Sequence, residues 1–187
     1  MIGINRQFTC AVDSQWPYIY SGALANHKVS KLITDKLIAY AEKLVKHFNL
    51  TGICSIDAIT HDDEVFVLEI NPRVSATYEL YECLSPDMNL IDAHIRVCEG
   101  EPLLQLNSTT EQCAYTIVYA DDHCVVPSID WPQWSSDRPE CGKVLHRNDP
   151  VCTVRALSGE AEDLYNRAQK KGQQVLSLIK QSDKNTN

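Results

Sequence analysis

The stretch EVFVLEINPR, residues 64–73, decides the fold of this chain. Its first eight residues are an apolar run of the kind that predicts a β-strand. Alternate side chains of a strand share one face, so Glu69 and Asn71 should point the same way. Arg73 joins them if the extended conformation continues through Pro72, which cannot donate a ladder hydrogen bond and so marks the strand end.

A second apolar run, TGICSIDAIT at residues 51–60, precedes this strand and is joined to it by the polar residues HDD. Two such runs around a short polar connection predict a β-hairpin. Asp57 lies twelve residues before Glu69. The hairpin can therefore make these two acids cross-strand neighbours.

Two adjacent carboxylates repel each other unless a positive charge lies between them. Mg²⁺ prefers hard oxygen ligands, and one or two carboxylates with an amide oxygen leave room for phosphates and water. Asp57, Glu69 and Asn71 would supply such ligands, and Arg73 would add a planar fork suited to a phosphate. The alternative is a solvated sheet face with Arg73 as the ion-pair partner, and the spacing alone does not decide between the two.

The composition is that of a globular protein: 187 residues, 44% of them hydrophobic. The formal net charge of -8 argues against nucleic acid as a partner, because phosphate neutralisation needs a basic face. We find no leader and no apolar run of eighteen residues, so we expect no membrane association and a cytoplasmic location. The eight cysteines form no CxxC pair, which favours reduced, mostly buried thiols over disulfides or zinc.

Periodicity and turn residues predict the remaining elements. They are a strand pair within residues 1–29, a helix from Ser30 to about Phe48, a short helix from about Asn89 to Cys98 closed by Gly100, a hairpin from residues 114–120 to 124–129, a strand at 150–157, and a helix at about 160–180 capped by Ser158. The segment at residues 75–87 is interpreted as polar, with its surface in a loop or a helix. The pattern predicts an α+β fold, with helices flanking an antiparallel sheet.

The segment EINPRVS, Glu69 to Ser75, together with Asp57, resembles the metal-binding strands of the ATP-grasp ligases. The resemblance implies that Asp57, Glu69 and Asn71 bind Mg²⁺ or Mn²⁺, with Glu69 bridging two ions. It also implies that ATP is bound through Glu69, Asn71 and Arg73, and that Arg73 stabilises the transferred phosphate as the catalytic residue.

The reaction implied by this resemblance is activation of a carboxylate by ATP to an acyl phosphate, followed by attack of an amine or a thiol. The implied partners are a small-molecule carboxylate and amine. Carbamoyl-phosphate synthetases of this family carry a second arginine where this chain has Ala76, which argues against a bicarbonate-activating role like theirs.

The resemblance covers about the first 100 residues and implies the C-terminal half of an ATP-grasp fold. We expect that subdomain at residues 1–105 and a small β/α extension at 106–187. The family's N-terminal half has no counterpart in the sequence, so we expect the isolated chain to be inactive. The alternatives are a non-catalytic nucleotide or metal sensor, and a plain structural domain if Asp57 and Glu69 lie on opposite faces. The sequence leaves a homodimer open.

Other residues carry weaker signals. Glu79 and Glu82 follow the motif and are either a general base or solvated surface, with surface favoured. Arg6 either contacts a phosphate or forms an ion pair on the surface. For Trp131 and Trp134, packing is favoured over ligand stacking, and Cys152 is predicted to be a core thiol and not a nucleophile.

Overall fold

The computed structural model describes residues 1–11, 17–85, 87, 89–102, 111–157 and 161–184. Two compact units are present: unit 1 comprises Met1–Ile4 and His27–Thr110, and unit 2 comprises Asn5–Asn26 and Glu111–Asn187. These units differ from a division at residue 105, because the first two strands lie with the C-terminal segment.

The described residues form nine strands and four helices. In chain order they are β1 (Arg6–Cys10), β2 (Ile19–Leu24), α1 (Lys31–His47), β3 (Ser55–His61), β4 (Glu64–Asn71), α2 (Tyr78–Leu84), α3 (Leu90–Cys98), β5 (Cys113–Tyr119), β6 (Cys124–Val125), β7 (Ser135–Ser136), β8 (Val144–Leu145), β9 (Pro150–Leu157) and α4 (Ala161–Lys184).

Helix α1 of unit 1 begins where its cap residue predicts. The Ser30 hydroxyl accepts the N–H of Ile33 at 3.3 Å, satisfying one of the free donors of the first turn. Lys46 and His47 lie in the last turn, where a positive charge is favourable. The helix contacts β4 through Lys36, whose ammonium lies 3.0 Å from the Glu64 carboxylate. The predicted helix from Ser30 to about Phe48 is confirmed.

Strands β3 and β4 form the predicted antiparallel hairpin. The turn residues Asp62 and Asp63 both have positive φ, 45° and 62°. Positive φ at both central residues characterises the type I′ turn, whose twist matches that of the strands it joins. The HDD segment therefore closes a tight hairpin.

Helix α2 was not predicted. It has only seven residues and its N-cap residue, Thr77, makes no side-chain capping bond, yet Leu80 and Tyr81 are buried. Helix α3 is confirmed: Asn89 accepts the N–H of Asp92, and Gly100 follows with a φ of 91°.

Unit 2 contains a five-stranded antiparallel sheet in the order β1-β2-β5-β9-β7. The predicted β1–β2 pair and the strand at residues 150–157 are confirmed. The predicted hairpin from residues 114–120 to 124–129 is wrong. Strand β5 pairs with β2 and β9, so both of its edges are occupied, and the short β6 pairs with β8.

Gly22 allows β2 to approach β5 closely. Its φ is 150°, and a Cβ atom here would lie 2.1 Å from the carbonyl oxygen of Tyr115. Only glycine fits both the conformation and the space.

Helix α4 covers this sheet. Its apolar side is buried as predicted, at Leu164, Ala168, Val175, Leu176 and Ile179. Ser158, the predicted cap of this helix, lies outside the described residues. The fold is α+β, with an antiparallel sheet and flanking helices, as predicted. Among the described residues, no helix combines the length and apolar character needed to cross a membrane.

Candidate metal and phosphate site

The β3–β4 hairpin brings the two predicted carboxylates together. Asp57 pairs directly with Glu69, and Ser55 pairs with Asn71. Directly opposed residues of an antiparallel pair project to the same side. Asp57, Glu69 and Asn71 therefore share one face. The alternative of a plain structural domain required Asp57 and Glu69 to lie on opposite faces, and this requirement is not met.

A β-bulge makes this arrangement possible. The pairing shifts between Asp57 and Ala58, because Ala58 pairs with Val67 and Leu68 is the extra residue. Glu69 lies four residues after the buried Val65. In a regular strand both side chains would therefore point to the packed face. The bulge resets the alternation and moves Glu69 to the face of Asp57.

A hydrogen bond holds the Asn71 amide next to the Glu69 carboxylate. The Asn71 side-chain nitrogen donates to Glu69 Oε1 at 2.8 Å. Glu69 is exposed, and among the described residues no lysine or arginine forms an ion pair with it. Lys36 pairs with Glu64 at the far end of β4. Among the described residues Glu69 thus lacks a basic partner, and its carboxylate beside that of Asp57 fits a hard cation.

Arg73 is not brought onto this face by the strand. β4 ends at Asn71, and the Arg73 N–H donates to the Asn71 carbonyl oxygen across a tight turn at Pro72. The exposed Arg73 guanidinium donates to the carbonyl oxygen of Val74 at 3.2 Å. The extended conformation therefore does not persist through Pro72.

No cluster of three or more His, Cys, Asp and Glu side chains suited to a metal occurs in the described part of the chain. This excludes a zinc-type ligand set there. Two carboxylates completed by an amide are a different set, the one that Mg²⁺ accepts together with phosphates and water.

Two apolar side chains flank the carboxylates and were missed by the sequence reasoning. Ile59 and Phe66 are paired across the strands and are 54% and 55% exposed. Ile59 lies two residues from Asp57 and so shares its face. The spacing of Ile59 from Asp57 was the signal available in the sequence. The exposure of Ile59 was not predictable, because an apolar residue in a strand is usually expected to be buried.

The weaker candidates have structural contacts. Glu82 accepts the N–H of Leu90 at 3.2 Å and so caps the start of α3. Arg6 lies over the Phe8 ring, 5.0 Å from its centroid, in a cation–π contact.

The predictions for the aromatic and thiol groups of unit 2 are confirmed. Trp131 and Trp134 pack against the buried cluster around Val118 and Val154. Cys152 is 2% exposed, and burial raises its pKa to about 12. A thiol that stays protonated is a poor nucleophile.

Solved structures place this architecture in a known class. N5-carboxyaminoimidazole ribonucleotide synthetase from Thermotoga maritima matches 86% of this chain with a TM-score of 0.59 and 16% identity. Phosphoribosylglycinamide synthetase from Anaerococcus prevotii matches 95% with a TM-score of 0.60 and 13% identity. The chain covers 46% and 47% of those proteins. Its fold is that of part of an ATP-grasp protein.

Sequence comparisons agree with this class. The family model described as an ATP-grasp domain matches residues 1–77. The carbamoyl phosphate synthase large chain of Pseudomonas putida is 27% identical over 155 residues, which are 82% of this chain and 14% of that protein. These matches agree with the resemblance to ATP-grasp proteins that the sequence predicted, and the family match covers residues 1–77 of the chain. It spans a small part of the length of the curated relatives it matches.

Proposed function

We propose that this chain carries the cation-binding hairpin of an ATP-dependent ligase, which activates a small carboxylate as an acyl phosphate for attack by an amine. The observation that carries the proposal is the direct pairing of Asp57 with Glu69 on a partly exposed face. The match of residues 1–77 to an ATP-grasp domain supports the reaction class. A carboxylate-thiol ligase uses the same activation step.

The residues present fit a divalent cation. Asp57 and Glu69 would hold it through carboxylate oxygens, and Asn71 through its amide oxygen, as Mg²⁺ or Mn²⁺ sites require. When bound, the ion would offset the negative charge of the ATP phosphates. The hydrogen bond from Asn71 to Glu69 fixes both side chains next to each other before any ligand arrives.

Arg73 would act on the phosphate. A guanidinium has five N–H donors, and the contact described for its side chain uses one of them. Arg73 is exposed, so the remaining donors can reach oxygens of a transferred phosphoryl group. Such donors stabilise the charge that spreads over these oxygens in the transition state.

We propose the following activation step. An oxygen of the substrate carboxylate attacks the terminal phosphorus of ATP, and ADP leaves. The amine then attacks the acyl carbon, and phosphate leaves. Asp57, Glu69 and Asn71 orient the phosphate end of the nucleotide, while Ile59 and Phe66 offer an apolar surface to a ring or chain beside it.

The neighbouring structures are about twice as long as this chain. We propose that an N-terminal half of the ATP-grasp fold supplies further nucleotide contacts in the complete enzyme. Nucleotide binding without turnover is the alternative, in which the same hairpin acts as a sensor.

The proposal is tested by titrating Mn²⁺ into the chain with and without ATP, using calorimetry. We expect Glu69→Gln to weaken Mn²⁺ binding by at least about tenfold, because it removes an anionic ligand. Glu64→Gln is the matched control, since it removes the same charge from the same strand at the far end. Equal binding by wild type and Glu69→Gln would overturn the site.

Turnover separates the ligase from the sensor. The protein at its natural length is mixed with Mg²⁺, ATP and candidate carboxylates, and any acyl phosphate is trapped with hydroxylamine. The ligase proposal expects a hydroxamate that disappears in Glu69→Gln. Saturable Mg-ATP binding with no ADP formed for any carboxylate supports the sensor.

A further inference from the structure

A histidine and a cysteine of α3 meet the backbone just before β3. The Ile53 N–H donates to Nδ1 of His94 at 2.9 Å. A ring nitrogen that accepts a hydrogen bond carries no proton, so the proton of neutral His94 lies on Nε2. Nε2 lies 3.8 Å from Sγ of Cys98, one helical turn further along α3. The backbone thus directs the remaining imidazole donor at the thiol.

The pair has little free space on its inner side. Gly52 has a φ of 82°, and a Cβ atom there would lie 2.6 Å from His94 Nδ1 and 2.9 Å from Cys98 Sγ. The glycine backbone therefore packs directly on both side chains. On the outer side Cys98 is exposed, so a small reagent can approach the sulfur.

A second exposed thiol of the same chain, that of Cys141, can be compared with Cys98. Of its eight cysteines, Cys98 and Cys141 are the two exposed ones. Both adjoin a glutamate, Glu99 and Glu140 respectively. Among the described residues, no side chain donates a hydrogen bond to Cys141. Cys98 ends α3, where the helix dipole disfavours an anion, whereas Cys141 lies near Arg138 and Lys143. The imidazole of His94 is the feature of Cys98 that favours a charged sulfur, so a faster reaction of Cys98 would point to His94.

We propose that Cys98 is a site of oxidation by small hydroperoxides, and that His94 transmits the modification to the start of β3. The thiol first loses its proton to water, and the Nε2–H of His94 supports the negative charge that remains on sulfur. The sulfur then attacks the terminal peroxide oxygen, the O–O bond breaks, and hydroxide leaves from hydrogen peroxide or an alkoxide from an alkyl hydroperoxide. Sulfur is oxidised by two electrons to a sulfenic acid, and the peroxide is reduced.

The added oxygen changes the contacts of His94. It lies beside the imidazole, which Gly52 prevents from retreating inward. The ring therefore shifts away from the Ile53 N–H, two residues before β3 begins at Ser55. The strand that carries Asp57 loses a hydrogen bond at its entry. Because that strand carries Asp57, the loss should also change cation binding. This effect on cation binding is the one part of the inference that rests on the proposed function.

The first test compares the two exposed thiols. The full chain is treated with hydrogen peroxide and a sulfenic-acid trap, and the modification of each cysteine is followed by mass spectrometry. We expect Cys98 to react about tenfold faster than Cys141, as a hydrogen bond to a charged sulfur implies. His94→Ala should lower the Cys98 rate to that of Cys141. Equal rates for the two thiols in wild type would overturn the proposal.

The second test follows the backbone. We expect peroxide to speed amide exchange at Ile53 by about two- to tenfold, the loss of one hydrogen bond, and Cys98→Ala to abolish this response. An unchanged Ile53 rate in protein oxidised at Cys98 would overturn the transmission step. Mn²⁺ binding is measured on the same samples. If untreated protein binds no Mn²⁺, the proposed function fails, while thiol rates and Ile53 exchange still decide this inference.

Discussion

The β3–β4 hairpin of unit 1 and the β5–β9 strand pair of unit 2 have the same antiparallel topology and opposite surroundings. Five of the seven side chains of β5 are buried, and its neighbour β9 has four buried of eight. In β3 and β4 together, Val65 is the one buried residue. Burial of apolar surface stabilises the fold, so the sheet of unit 2 contributes stability and the exposed hairpin is available for chemistry.

The first prediction concerns the core of unit 2 and should give the largest effect. Leu164→Ala removes a fully buried side chain of α4, and we expect it to lower the free energy of unfolding by about 3 to 5 kcal/mol. Urea denaturation followed by tryptophan fluorescence measures this change, because Trp131 and Trp134 pack on the core of the same unit. Leu178→Ala, at a side chain 36% exposed on the same helix, should cost below about 1 kcal/mol. Equal costs would contradict the assignment of the core.

The second prediction concerns backbone packing in the same sheet. Gly22→Ala places a Cβ against the Tyr115 carbonyl oxygen, and we expect a cost of about 2 to 3 kcal/mol in the same assay. Gly100→Ala is the control, because Gly100 also has positive φ but no atom within 4 Å of the added Cβ. It should cost about 1 kcal/mol. A Gly22 variant no worse than the control would argue against the close approach of β2 and β5.

The third prediction moves to unit 1. Ser30→Ala removes the cap of α1 and should cost about 1 kcal/mol, whereas Ser30→Gly should cost only a few tenths. Thermal unfolding by circular dichroism measures both variants. If neither variant lowers the melting temperature, the hydroxyl contact with Ile33 does not stabilise the start of the helix.

The smallest effect is expected at the hairpin itself. Glu69→Gln keeps an acceptor for the Asn71 amide and removes one of two neighbouring negative charges. We expect a change within about 0.5 kcal/mol in the free energy of unfolding without cations. A loss near that of Leu164→Ala would make Glu69 a structural residue and remove the contrast between the two regions.

Local patterns predicted most of this fold. Ser30 and Asn89 marked helix starts, and the apolar period placed Leu164 and Ile179 in the core. Helix α2 was missed because its seven residues are too few to show a clear helical period. The hairpin predicted after β5 was wrong because β5 takes partners distant in sequence, which local alternation does not encode.

The candidate site was predictable only in part, again because local alternation does not encode every feature of strand pairing. The hairpin itself was predicted, but its two-residue turn alone would pair Asp57 with Leu68. The pairing of Asp57 with Glu69 depends on the bulge at Leu68, which the sequence did not reveal. Arg73 was predicted to share that face only if the strand continued, and the turn at Pro72 ends it. The role of Arg73 at the phosphate stays a proposal.

The central claim, that Asp57, Glu69 and Asn71 form one cation site, is tested most directly by paramagnetic relaxation. Mn²⁺ at substoichiometric concentration is added to isotope-labelled protein, and amide signals are recorded by NMR. We predict strong broadening for residues 55–57 and 69–71, little for residues 61–64, and loss of the selective broadening in Glu69→Gln. Uniform broadening along the hairpin, or broadening that persists in Glu69→Gln, would contradict the account.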